Sequence, residues 1–210
     1  MTLAIPWIGP DDRELRYCLR SLNYLSKYLT LICAKPPQWL RNFTHISYKD
    51  NRQPQWNHRN VWEKLLLVPD DEFIWSADDI FTTHQWQPCN HATGLLSDQI
   101  YRKNPGNPYH NTLINTHNVL GDVLAFNSHT PVLIERKRLH SIDVDWCVPH
   151  GYCIKTLYCQ GLPHVMYNDV KLIYKQQPGI GWFSSSPTWM SAGGEAILRR
   201  LFPRPSVWEK

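Results

Sequence analysis

The sequence predicts an α/β fold, a mostly parallel sheet flanked by helices. Three observations carry the prediction. Short apolar runs at residues 3–8, 29–34, 43–48 and 73–81 alternate with helix-patterned segments. The run Phe73-Ile74-Trp75-Ser76-Ala77-Asp78-Asp79-Ile80-Phe81 has the aromatic and β-branched character of a buried strand. The 210 residues, 42% hydrophobic and 19% charged, suffice for one sizeable core and do not resemble a disordered chain.

Residues 3–8 form the first expected strand. A helix follows, with Asp11 as N-cap and Glu14 three residues on, close to a capping box. Leu15, Cys18, Leu19 and Leu22 recur at helical spacing and make one apolar stripe. Arg13, Arg16 and Arg20 share the other side, either as a solvated face or as a patch that meets an anion. Strands are expected at 29–34 and 43–48, and a helix at 61–67. From residue 84 to 118 periodicity fades among Pro88, Pro105, Gly106 and Pro108, and a loop region is expected. Residues 170–174 read as a strand, 176–190 as a loop and 197–202 as a last helix stopped by Pro203 and Pro205. No repeat or linker divides the chain. The expectation is a single domain over 1–210, with a nucleotide-binding half at 1–83 and an acceptor-side half at 84–210.

Asp78 and Asp79 are the chemical centre of this reading. Adjacent carboxylates repel and are costly to bury, and a hard divalent cation such as Mg2+ or Mn2+ removes both problems. An ordinary turn with both acids facing water is the plain alternative. In parallel α/β sheets ligands bind beyond the carboxyl ends of the strands, and the acid pair falls at such an end.

The six cysteines include no C-x-x-C pair and read as reduced thiols. No run is long enough to span a membrane, and the first residues lack a signal-peptide pattern, so a soluble cytoplasmic protein is expected. A net charge of +4 suits an anionic ligand such as a nucleotide diphosphate and permits nucleic acid without demanding it. The charge leaves open an alternative, a non-catalytic nucleic-acid-binding protein. It would use Arg136, Lys137, Arg138, Arg199, Arg200 and Arg204 on phosphates and tryptophans for stacking.

Several stretches, in order, resemble the Stealth family, the sugar-phosphate transferases of capsule synthesis and lysosomal-enzyme tagging. Residues 12–22 (DRELRYCLRSL) resemble its "ELRYSLRS" helix, and residues 37–40 (PQWL) its "PxWL" turn. Residues 73–81 resemble its strand ending in "NDD", residues 128–131 (SHTP) its histidine block, and residues 202–209 (FPRPSVWE) its closing "FPxPSxxE". Ala77 stands where the family has Asn, and the opening block survives only as Ile5-Pro6-Trp7-Ile8-Gly9. The resemblance implies a GT-A-like, Rossmann-like fold, a nucleotide-sugar donor, a Mn2+ or Mg2+ ion on Asp78 and Asp79, and a hydroxyl acceptor. Transfer of a sugar and of a sugar phosphate are equally compatible with it. Compact forms of this kind are found in bacteria and their viruses, which suits a glycan or a hydroxymethylated DNA base among hydroxyl acceptors. His129 is then the expected general base. Asp169 completes the metal shell or orients the acceptor. Arg13, Arg16, Arg20 and Lys155 are the expected cations for the donor phosphates. Residue pattern and resemblance alike leave the oligomeric state undetermined.

Overall fold

A computed structural model describes residues 1–9, 12–84, 89–168, 170–179 and 181–210. In chain order the elements are β1 (Thr2–Pro6), α1 (Arg13–Leu22), β2 (Tyr28–Cys33), β3 (Thr44–Ser47), α2 (Asn57–Leu66), β4 (Glu72–Trp75), β5 (Ile80–Thr82) and β6 (Asn90–Ala92). They continue with α3 (Leu96–Tyr101), α4 (Pro108–Leu120), β7 (Val132–Glu135), α5 (Arg136–His140), α6 (Ile154–Cys159), β8 (His164–Met166), β9 (Trp182–Ser184), α7 (Pro187–Trp189) and α8 (Glu195–Leu201). The main sheet has the order β3-β2-β1-β4-β7. Its first four strands are parallel and β7 runs antiparallel to β4. β5 pairs with β9 and β6 with β8 in two small ribbons. The fold is α/β with a mostly parallel sheet flanked by helices.

The two-residue strand period divides the core. From β1, Leu3 and Ile5 face one cluster, with Leu15, Cys18, Leu19 and Leu22 of α1. Ala4 faces the other, with Trp62 and Leu65 of α2. The stripe read from spacing is therefore the buried face of α1. Burying such a face removes each leucine from water, worth about 1.5–3 kcal/mol per side chain.

The structure corrects the reading at several places. The apolar run 73–81 is not one strand: β4 ends at Trp75, residues 76–79 turn, and β5 joins β9 in a separate ribbon. The expected loop 84–118 contains α3 and most of α4. α4 escapes a periodicity test because its buried side includes Thr112 and Thr116 beside Leu113. It is tied by hydrogen bonds, not by an apolar stripe. Thr112 Oγ1 donates to the His150 carbonyl at 2.9 Å, and Cys153 N–H donates to Thr116 Oγ1 at 2.9 Å. Asn115 Nδ2 donates to the Pro149 carbonyl, also at 2.9 Å.

Residues 170–174 form no strand. They make one isolated bridge, Lys171 to Ser184, and then turn at Tyr174, whose φ is 50°. The expected loop 176–190 instead contains β9 and α7. At the start of α1 the near capping box is not formed: Asp12 makes no side-chain cap, and Asp11 lies outside the described residues. All six cysteines are free thiols. Among the described residues no helix is long and apolar enough to cross a membrane.

Candidate active site

β1 is the strand at which the order of the sheet reverses. β2 lies on one side of it and β4 on the other. The crevice between the carboxyl ends of β1 and β4 is the switch point at which such sheets bind ligands.

The β1 side of the crevice is the turn Trp7-Ile8-Gly9. Gly9 has φ 65°, and a Cβ there would sit 3.2 Å from the buried Trp7 ring. That φ favours glycine, and the close ring adds to the preference. The Trp7 carbonyl accepts from Lys64 Nζ at 2.8 Å. Lys64 is wholly buried and also pairs with Asp50 at 2.7 Å. Burial pushes the Lys64 pKa down, against the opposing pull of Asp50.

The β4 side carries the acid pair. Ser76 N–H donates to the Ala4 carbonyl at 3.1 Å, which ties the turn to β1. The Ala77 carbonyl accepts from Cys18 Sγ of α1 at 3.3 Å and from Ser76 Oγ at 3.1 Å. The Asp79 carbonyl accepts from Ser185 N–H at 3.1 Å. Asp78 and Asp79 are both half-buried. Burial, then the charges of Asp79 and Glu14, push the Asp78 carboxyl up to about 7. The buried Cys18 thiol is raised for the same reasons, burial first and then Asp78 and Asp79. Asp79 Oδ2 stands 3.9 Å from Lys171 Nζ.

Glu14 is a member of this neighbourhood that sequence reasoning assigned to capping. Its carboxylate instead accepts from the Ser185 hydroxyl, and Ser185 in turn holds the Asp79 backbone. Its place in the first turn of α1, one turn ahead of Cys18, was the available signal.

His129 reaches the same end of the sheet through the register of β7. Trp75 pairs with Val132 in antiparallel sense. The chain ahead of Val132 therefore passes beyond the end of β4, as the acid turn does. The flanking carbonyls of Ser128 and Thr130 accept from Lys155 Nζ at 2.7 and 2.6 Å. The same ammonium lies 5.2 Å from the Trp75 ring centre. Thr130 Oγ1 bonds Ser128 Oγ and His91 Nδ1, at 2.9 and 3.0 Å. Lys155, expected on donor phosphate, thus fastens the His129 loop to the end of β4.

The three arginines of α1 meet carboxylates of the C-terminal region. Arg20 holds Glu209 with two prongs at 2.8 and 2.7 Å and donates to the Phe202 carbonyl at 3.0 Å. Arg16 lies over the Trp39 ring at 4.6 Å and 4.0 Å from Glu209. Arg13 stands 3.8 Å from Glu195. Asp169 lies outside the described residues. The nucleic-acid alternative loses one cation on geometry, since Arg138 donates to the carbonyls of Tyr158 and Gln160.

Among the described residues no group of three or more His, Cys, Asp or Glu side chains forms a metal cage. Two adjacent half-buried carboxylates, Asp78 with its proton affinity raised, fit an ion of the Mg2+ or Mn2+ class. Such ions bind through one or two carboxylates and complete their shell with substrate phosphates and water.

No protein-family model and no curated protein sequence matches the chain. Among solved structures it is similar to the galactosyltransferase LgtC in complex with donor and acceptor sugar analogues. That match has 10% identity and a TM-score of 0.52, over 100% of this chain and 98% of LgtC. An active-site mutant of LgtC matches at 11% identity and a TM-score of 0.52, over 96% and 95% of the two chains. At such identity the likeness defines the fold, and the chain has the GT-A glycosyltransferase fold.

Proposed function

We propose that this chain is a metal-dependent glycosyltransferase, moving a sugar or sugar phosphate from a nucleotide-sugar donor to a hydroxyl acceptor. The carrying observation is the half-buried Asp78–Asp79 pair at the switch point of a GT-A sheet. A Mn2+ or Mg2+ ion held by Asp78 and Asp79 would neutralise charge building on the departing diphosphate. Residues 1–83 then form the donor half and residues 84–210 the acceptor half. In this reading His129 accepts the proton of the acceptor hydroxyl, and Lys155 fixes the loop that presents it. Asp169 orients the acceptor or adds to the cation shell. Of the arginines, Arg13 and Arg16 have the more exposed side chains, at 50% and 38%, and serve the donor in this reading, whereas Arg20 is committed to Glu209. The resemblance of five ordered blocks supports placing the chain as a compact Stealth-like transferase. A bacterial or phage glycan, or hydroxymethylated DNA, is the proposed acceptor.

The test is a panel of UDP- and GDP-sugars with Mn2+, read by thermal shift and by nucleotide release, with and without hydroxymethylated DNA. A donor that binds the native state raises its melting temperature by mass action. Release of nucleotide that depends on both Mn2+ and an acceptor is the expected result. A salt-dependent DNA complex with no nucleotide release from any donor overturns the proposal.

A further inference from the structure

We infer that Lys171 is a phosphate-binding residue of this site, placed to share the diphosphate of the donor with a cation held by Asp78 and Asp79. The inference rests on the reading of the acid pair as a cation site and adds a residue to it.

The ammonium of Lys171 stands 3.9 Å from Asp79 Oδ2, with the two side chains 45% and 25% exposed. Direct charge-assisted bonds run near 2.7–2.9 Å, so this is no tight structural bridge. Exposed ion pairs contribute little to stability, so the pair matters little to folding. The backbone beneath it, in contrast, is firmly built. Ser184 N–H donates to the Val170 carbonyl at 2.9 Å, and Leu172 N–H donates to the Ser184 carbonyl at 2.8 Å. Leu172 is buried in the α1-side core. Ser184 pairs with Ile80, and the next residue, Ser185, holds the Asp79 carbonyl. The strand that supports the acid pair therefore also sets where the lysine stands.

Arg13 and Arg16 stand by carboxylates of the C-terminal region, and three further basic groups are more tightly held. Arg20 is bound by Glu209, Lys64 by Asp50 and the Trp7 carbonyl, and Lys155 by two carbonyls. Lys171 keeps nearly half its side chain open beside the acids. A divalent ion on Asp79 and this ammonium would repel each other. An anion with several oxygens, seated against both, converts that repulsion into two attractions. A diphosphate has the oxygens for it, and a compact ammonium suits a phosphate met at a point.

The experiment titrates Mn2+ alone, then inorganic pyrophosphate at saturating Mn2+, into wild-type protein and into Lys171→Gln, Lys171→Arg and Asp79→Asn, by calorimetry. Circular dichroism confirms that the variants fold. The expected result is a loss of pyrophosphate affinity of tenfold or more in Lys171→Gln, with Mn2+ affinity unchanged or higher, and substantial recovery in Lys171→Arg. Equal pyrophosphate affinity in wild type and Lys171→Gln overturns the inference while leaving the acid pair intact. Mn2+ binding that is absent from wild type, or undiminished in Asp79→Asn, overturns the acid-pair reading and this inference with it.

Discussion

The guanidinium of Arg20 and the carboxylate of Glu209, 189 residues apart in the chain, form a two-pronged ion pair at 2.8 and 2.7 Å. The pair ties α1 to the C-terminal segment, and Glu209 also accepts from Ser206 N–H at 2.9 Å. Burial pushes the Glu209 pKa up, but the hydrogen bonds and charge of Arg20 and Ser206 outweigh it and hold the pKa below the ordinary value. A lowered carboxylate pKa contributes stability that is present above the unfolded value and is lost as pH falls. Glu209→Gln or Arg20→Met should each cost about 3 kcal/mol, because the lone partner stays largely buried. The double variant should recover part of that loss. Urea unfolding measures all three, and a negligible cost would contradict a latch.

Among the described residues the Asp79 side chain has one recorded contact, the long one with Lys171. Asp79→Ala should therefore leave the melting temperature within a few degrees of wild type while abolishing both transfer and donor hydrolysis. Nucleotide release and circular dichroism check the two halves of this prediction. Full activity in the variant would remove Asp79 from the chemistry.

The raised carboxyl of Asp78 predicts a pH signature. Its folded value, about 7, lies above the ordinary 3.8, so between these values the native chain keeps a proton that the unfolded chain has lost. Stability without metal should fall as pH rises from about 4 to about 7. The groups around it are Asp79 and Glu14, which raise its pKa, and Lys64, which lowers it. A cation must displace that proton, so Mn2+ affinity should drop by up to about tenfold per pH unit below 7. Melting curves from pH 5 to 8, with and without Mn2+, measure both slopes. In Asp78→Asn the metal-free slope should flatten.

His129→Ala should slow turnover by about a hundredfold or more, the usual range for a lost general base, with a smaller effect on donor binding. Steady-state kinetics over donor concentration separates the two. A variant with normal kcat and a raised KM would make His129 a binding residue.

The central part of the fold was legible because its signals are local. Leu15, Cys18, Leu19 and Leu22 recur at helical spacing, and the strands from β1 to β4 read as apolar runs bounded by turns. The position of Asp78 and Asp79 at a strand end was legible for the same reason. α4 was not, because hydrogen bonds from Thr112 and Asn115 to a distant loop do the work of an apolar stripe. Nor was β9 (Trp182–Ser184), whose partner β5 (Ile80–Thr82) lies far earlier in the chain, beyond any local pattern. The arginines of α1 illustrate a further limit. Spacing placed them on one face but did not indicate that Glu209 and Glu195 meet them there. Three of the blocks that carry the family resemblance, 12–22, 37–40 and 202–209, converge at that latch. Arg20 bonds Glu209, Trp39 Nε1 donates to Asp12, and Lys210 N–H donates to the Trp39 carbonyl.

At Gly9, beside the crevice, the φ of 65° strains any residue that carries a Cβ, and the Trp7 ring stands 3.2 Å from where that Cβ would sit. A larger residue there also presses on the Trp7 indole, which belongs to the interior and must give by a few tenths of an ångström. The backbone itself therefore disfavours variation at this position. Val170 and Ile173, on the segment around Lys171, are exposed and carry no such backbone constraint.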